Sequence, residues 1–585
     1  MLLIKDFYIN IMKKVTRLLF LLLLTLKYSL LAESLKYRNV MYYGEWSIYA
    51  GQKNFYPSKM DPKLITHLNF AFMDMDSNGD LVLCDEYADF QITTLPELAG
   101  INYGAPYAGV LGALAILKIK NPHLKVGISV GGWTRSGDFS AVSKDKNKRQ
   151  NFANNIVKFV DYLGYDFVDI DWEYPTAVRQ GDPAGNGVQI DEGCPGSEDD
   201  TENFTLLLQE LRNELDTLGK KNGKKYELSV AMSASPTMMA KIQYDKILQI
   251  VDFANMMTYD LNGAWNSYTA HHTALYTNDA YDKDSMPEAA FSVDTCIKYL
   301  EDTYGNKIDY TKIVIGVAPY TRAWGGVKDD GLDKDNPGLY ATATPNSIKS
   351  ADGTTSGTYG FYELPGLMDQ YNLVEYFDNK AKAAYYYSPT NGIFFTCDNE
   401  QSVAAKGKYV REKGLGGLIA WMASLDAENV ITKAMYKSLY DSGYTFPEEK
   451  MIFTNPSASA KIVATETGYD ITIENNEKSS ESNLALKNAE LFQKSILFMK
   501  LYIKTKSGAE FTAGSMSGTV TNKDGVGVVD PSSNYDAKNI APGGFYTFSV
   551  RVSGTPDVGD IESITMTQRI LQTLGEFKEQ VIYKK

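Results

Sequence analysis

The sequence predicts an α/β protein: a (β/α)₈ TIM barrel carrying a small α+β insertion subdomain and followed by a C-terminal β-sandwich domain. Three observations predict it. Eight short, strand-like apolar runs lie between Asn39 and Trp421, with helical or long connections between them, the pattern of a closed parallel barrel rather than an open sheet. Polar and aromatic residues gather at the C-terminal ends of those runs, the end at which such barrels do their chemistry. Beyond Met451 the pattern changes to short alternating runs punctuated by Gly, Ser and Asn, as in packed antiparallel sheets.

At the N-terminus, Lys13, Lys14 and Arg17 lead into the apolar run Leu18–Leu24 and a small-residue end near Ala32, so residues 1–32 read as a secretory signal peptide starting at Met12. An uncleaved anchor is the alternative. The barrel occupies residues 36–440. Its strands are expected at Asn39–Trp46, Ile65–Phe72, Lys125–Trp133, Tyr165–Pro175, Glu227–Ser233, Val251–Tyr259, Ile313–Tyr320 and Gly416–Trp421. A helix over Tyr107–Lys120 precedes the third, and one after the fourth puts Phe204, Leu207, Leu208, Leu211 and Leu215 on one face. Residues 325–391 are too many for a βα loop and contain strand-like Gly357–Leu364 and Lys382–Tyr387, so they predict a subdomain raising one wall of a cleft. Val430–Tyr440 is the closing helix, 441–450 a linker, and 451–585 a separable domain.

Composition narrows the function classes. The 585 residues are 44% hydrophobic and 22% charged, ordinary for a soluble chain of more than one domain. A formal charge of −14 argues against nucleic acid or an anionic membrane as partner and favours a neutral polymer, with no membrane contact expected once the signal is removed. Cys84, Cys194, Cys296 and Cys397 form no C-x-x-C pair, so neither a zinc site nor a redox motif is indicated, and no metal or cofactor is expected. Their pairing is not readable from sequence. His67 reads as a core histidine, and His271–His272 as loop residues rather than metal ligands.

The chemistry concentrates in Tyr165–Pro175. The helical pattern of Phe152, Ile156, Val157, Phe159, Val160 and Leu163 stops at Gly164, and a strand follows. Alternation along that strand points Asp169, Asp171 and Glu173 one way and Val168, Ile170 and Trp172 the other. Three acids facing inward together repel one another and resist desolvation unless they share protons or serve a reaction. The bland reading is a cation site or a solvated strand end, but no second cluster of metal ligands lies nearby.

The run Asp166-Phe-Val-Asp169-Ile-Asp171-Trp-Glu173 resembles the D-x-x-D-x-D-x-E signature of family 18 glycoside hydrolases, the chitinases and their relatives. Phe167 stands where many members have Gly. Ser129-Val-Gly-Gly132 resembles the family's S-x-G-G strand end, Met257-Thr-Tyr259-Asp260 its sixth-strand motif, Tyr320-Thr-Arg322 its seventh, and Trp421 the tryptophan ending strand eight. The likeness spans Tyr37–Tyr440 and is nearest to the bacterial, insertion-bearing branch. It implies hydrolysis of β-1,4-linked N-acetylglucosamine polymers, chitin or chitooligosaccharides, by a secreted monomer.

Two residues at ~3.3 Å rise put the Asp171 and Glu173 Cα atoms roughly 6.6 Å apart, nearer an inverting pair than a retaining one. The resemblance implies a third route, in which the substrate's own 2-acetamido oxygen attacks the anomeric carbon. In that scheme Glu173 is general acid and then base, Asp171 holds the acetamido N–H, Asp169 shares a proton with Asp171, and Tyr259 donates to the attacking oxygen. Asp260 and Arg322 fix the neighbouring sugar, Trp421 floors the reacting subsite, and Trp46, Trp133 and Trp265 stack along the groove, with Tyr42, Met257 and Tyr320 completing the substrate contacts. Asp166, of opposite parity, supports. Trp172 and Trp324 read as core. An endo-β-N-acetylglucosaminidase acting on N-glycans, or a lectin-like member that binds chitin, remain alternatives. For residues 451–585 a carbohydrate-binding module using Tyr469, Tyr502, Tyr535 and Tyr546 stands beside a structural spacer or docking module; no tryptophan follows Trp421.

Overall fold

A computed structural model describes residues 35–585 apart from 103, 183–189, 351–352, 441–443 and 452. The expected signal peptide, residues 1–32, lies outside the described residues. The barrel strands are β1 (Arg38–Gly44), β2 (His67–Met75), β3 (Lys125–Gly131), β4 (Phe167–Asp171), β5 (Glu227–Ser233), β6 (Phe253–Met257), β7 (Ile313–Val317) and β8 (Gly417–Ala420). Each pairs in parallel with the next, and β1 pairs with both β2 and β8, which closes the cylinder.

The steps into β4 show how local chemistry builds this. Asp145 caps the Lys146–Leu163 helix by accepting from the Asn147 and Lys148 N–H groups, and Gly164, at φ 69°, ends it in the left-handed region that glycine tolerates best. The helix buries Phe152, Ile156, Phe159, Val160 and Leu163 on the layer into which Val168, Ile170 and Trp172 point from β4. Each such side chain contributes about 1.5–3 kcal/mol on burial. Phe167 instead points into the barrel with Val40, Phe253, Val314 and Ile419. Just before β4, Asp166 is pinned between Lys118 (2.7 Å) and Lys224 (2.6 Å). Burial alone would raise its carboxyl, but the two ammonium groups outweigh it and hold it below the usual range.

The inserted region forms an antiparallel sheet in the order Arg322–Trp324, Ile393–Thr396, Ala383–Ser388, Val374–Asp378, with the helix Leu364–Tyr371. Two of its strands thus come from residues flanking 325–391. Gly357–Leu364, expected as a strand, is a turn instead. Glu363 accepts the Gly360 N–H at 3.0 Å and Pro365 opens the helix, so helix-start chemistry overrides the aromatic alternation. Trp324 is fully buried.

Beyond the barrel, a four-stranded and a five-stranded antiparallel sheet enclose a core including Tyr469, Ile471, Ile473, Leu501, Ile503, Phe548 and Ile564. The helix Leu484–Lys494 interrupts these strands and puts Leu486, Ala489 and Phe492 into the barrel's own core cluster, joined by Phe498, Ile570 and Leu571. Residues 444–450 of the expected linker also lie on the barrel. Tyr444 stacks on Tyr440 at 4.6 Å, Phe446 on His123 at 5.2 Å, and the Glu449 N–H donates to the Pro122 carbonyl at 2.8 Å. All four cysteines are free thiols. No helix among the described residues is long and apolar enough to cross a membrane.

Candidate active site

A cleft of about 780 Å³ opens at the C-terminal mouth of the barrel. Tyr42, Trp46, Trp133, Asp171, Glu173, Met257, Tyr259, Asp260, Trp265, Tyr320, Arg322 and Trp421 all line it. Asp169 lies beneath, with no exposed surface.

Asp169 is where the strands meet. It accepts from the Tyr42 hydroxyl of β1 (2.6 Å), Ser129 of β3 (2.8 Å), Ser229 of β5 (2.5 Å) and, at 3.5 Å, the Asn255 amide of β6. Burial raises its carboxyl and these bonds restrain the rise. Its acceptor sites are thus taken up by neighbouring strands. Asp171, one step up the same face, has a buried Oδ1 with no hydrogen-bond partner among the described residues. Burial, then the charges of Glu173 and Asp169, hold Asp171 well above the ordinary carboxylate range. Both neighbouring acids thus disfavour an Asp171 anion.

Glu173 follows the strand end. Its N–H donates to Ser136 Oγ at 2.9 Å. Burial pushes its carboxyl up to about 7, a hydrogen bond from Tyr174 lowers it, Asp260 raises it and Arg179 lowers it. Gly131 and Gly132, at φ 109° and 83°, carry the neighbouring chain past it. A Cβ on Gly131 would lie 2.3 Å from the Asp171 carbonyl oxygen, so only glycine fits.

Opposite stands Asp260, gripped by Arg322 through two bonds of 2.7 and 2.8 Å. Burial would raise it, but Arg322 and then His272, whose Nδ1 lies 3.5 Å away, hold it well below the usual range. Tyr259 is kept a neutral phenol by burial and the surrounding acids. Trp421 stacks on Phe72 at 5.6 Å and lies 5.5 Å from Tyr42 and 6.2 Å from Trp46, a contiguous aromatic floor. Trp133 and Trp265 are 49% and 48% exposed at the rim. Trp172 is buried against Phe139. His67 is a core residue bonded to Glu227 at 2.8 Å. No group of metal-ligating side chains occurs among the described residues.

Sequence reasoning missed Ser229, Asn255, His272, Tyr174 and Phe72. Ser229 shares its parity with Glu227 and Ser233 and does not stand out, whereas Asn255 had a usable signal, since it is the polar residue at the inward parity of an otherwise apolar strand. His272 had none, because its tie to Asp260 is made by the fold.

A carboxyl held protonated near neutrality, beside a second acid and over an aromatic floor, is suited to giving a proton to a glycosidic oxygen; the barrel is that of a glycoside hydrolase. A family model described as "Glycosyl hydrolases family 18" matches residues 38–426, and the chain belongs to that family. It is 32% identical over 532 residues to Chitinase A1 of Niallia circulans, covering 85% of this chain and 72% of the relative. Among solved structures, the catalytic domain of chitinase B from Arthrobacter TAD20 is 27% identical, with TM-score 0.59, over 71% of this chain and 98% of that one. Chitinase ChiA74 from Bacillus thuringiensis, at 22% identity and TM-score 0.59, shares the fold over 91% of this chain and 100% of that one.

Proposed function

We propose that the protein is a secreted, monomeric chitinase that cleaves β-1,4 bonds between N-acetylglucosamine units with retention, through the substrate's own acetamido group. The observation that carries this reading is Glu173, held near 7 beside the unpartnered Oδ1 of Asp171. Glu173 gives its proton to the glycosidic oxygen while the acetamido oxygen bonds to the anomeric carbon. Asp171 accepts the acetamido N–H as positive charge develops, and Tyr259 donates to the attacking oxygen. The anionic Glu173 then takes a proton from the water that opens the cyclic intermediate. Asp260 and Arg322 hold a neighbouring sugar, and the indoles of Trp421, Trp46, Trp133 and Trp265 supply stacking faces suited to a linear polymer. That aromatic run favours chitin over N-glycans, and an intact Glu173 favours hydrolysis over binding alone.

Residues 36–440 are the catalytic unit, with 325–391 inserted in it, and the basic-then-apolar run in residues 1–32 supports export. For residues 451–585 one observation favours the structural reading over a chitin-binding module. Tyr469 and Tyr546 are core residues, and Tyr502 is bonded to Glu576 at 2.5 Å. The test of function is hydrolysis of chitin oligomers against pH. Retained β-anomer product and a rate that falls as pH rises through about 7, where Glu173 loses its proton, are expected. Rapid cleavage of fully deacetylated polymer would refute the mechanism.

A further inference from the structure

Trp133 stands on a single turn of helix, Trp133–Arg135, at the cleft rim, with half its surface exposed. A lone indole there has rotamers to lose on binding sugar. The chain after Glu173 restrains it. Val178–Arg179 and Cys194–Pro195 form a two-stranded ribbon. From it the Arg179 guanidinium lies 4.0 Å from the Trp133 ring centroid and donates to the Trp133 carbonyl. Arg179 is itself held by Asp191 at 2.5 Å. The ribbon grips the same turn again where the Glu192 N–H donates to the Thr134 carbonyl at 3.0 Å and Arg135 donates to Glu192 at 3.2 Å. Trp133 lines the cleft and Arg179 does not, so the cation backs the indole and leaves the sugar-facing side free.

We propose that Arg179 is a positioning residue that locks Trp133 as a preformed sugar platform and so sets affinity for chains long enough to reach the rim. This rests on the chitinase reading. Preorganisation of this kind lowers the entropy lost on binding. The same guanidinium also acts on Glu173. The groups facing that carboxyl are Asp171, Asp260, Tyr174, Tyr259 and Arg179, and Arg179 is the cation that lowers it.

The test is a double-mutant cycle of Arg179→Ala and Trp133→Ala in the Glu173→Gln parent, with chitin-hexamer affinity read by calorimetry, and each variant's melting temperature checked. Arg179→Ala should weaken hexamer binding roughly three- to fivefold, as loss of a cation–π contact does, and should add nothing once Trp133 is gone. In the active enzyme Arg179→Ala should move the alkaline limb of kcat up by about half a pH unit, and Arg179→Lys should restore that limb by keeping the charge. Unchanged hexamer affinity in Arg179→Ala, or an equal loss with and without Trp133, overturns the clamp. If Arg179→Ala does not fold, Arg179→Lys decides: it should bind hexamer more weakly than the parent, and equal affinity overturns the clamp. A parent that binds no hexamer overturns the chitinase reading as well, whereas wild-type hydrolysis without the predicted coupling overturns the clamp alone.

Discussion

The barrel mouth and the C-terminal sandwich both carry many aromatic rings, yet they use them differently. At the mouth, Trp133 and Trp265 expose about half their surface and Trp421 floors a cleft in which Asp171 Oδ1 has no hydrogen-bond partner among the described residues. In the sandwich, Tyr469 and Tyr546 are buried, with hydroxyls donating to the Asp557 and Met516 carbonyls; of the rings there, Tyr535 (64%) and Phe545 (69%) are well exposed. A count of aromatic residues therefore says little about binding. What marks a binding surface is a ring face left open beside a polar atom left unpaired, since a fold otherwise satisfies both.

The sharpest way to break this contrast is Glu173→Gln. It should lower kcat on soluble oligomers about a thousandfold while leaving the melting temperature and oligomer binding near those of the parent; near-normal turnover would remove the mouth's claim to chemistry. Next is Asp169→Ala, which strands hydroxyl and amide donors on β1, β3, β5 and β6. A loss of about 3–5 kcal/mol of stability is expected by chemical denaturation, and a loss no larger than that of Glu173→Gln would deny Asp169 its structural part.

For the sandwich, truncation after Asp441 uncovers the barrel surface against which Leu486, Phe492 and Ile570 pack. The shortened protein should melt several degrees lower but adsorb to crystalline chitin nearly as well as the full chain. A large fall in adsorption at equal stability would restore the binding-module reading. The smallest effect is expected from Tyr535→Ala with Phe545→Ala: less than a twofold change in adsorption, because two isolated rings, one in a turn and one at a strand start, make no continuous platform.

The parts that could be read in the sequence were those set by local period. The eight barrel strands follow from short apolar runs and the inward parity of Asp169, Asp171 and Glu173 from alternation, and the cleft residues expected from the motifs line the mouth with Asp169 beneath it. Arrangements made by long-range contact could not be read. The acceptors of Asp169 are shared among donors from 40 to 127 positions away, and the ribbon that backs Trp133 rests on strands of two residues, below any periodic signal. Gly357–Leu364 misled because alternation there competes with a helix-start pattern. The helix Leu484–Lys494 carries a helical spacing in Leu486, Ala489 and Phe492, but it is short and set among alternating runs.

The web around Asp169 also bears on descent. Asp169 on β4 and Glu173 just past its end face different histories if hydrolysis ceases to matter. The Glu173 backbone N–H donates to Ser136 Oγ, a bond any residue there would keep, and its carboxyl is bonded by Tyr174 alone among the neighbours that shift it, so a lineage turning from cutting sugar to holding it loses that carboxyl at little structural cost. Asp169 joins β4 to β1, β3, β5 and β6, so the same lineage must keep it for the barrel to stand. A descendant of this chain that no longer cuts would still display the first half of the signature, and the survival of Asp169 in a sequence says that the barrel persists, not that the enzyme works.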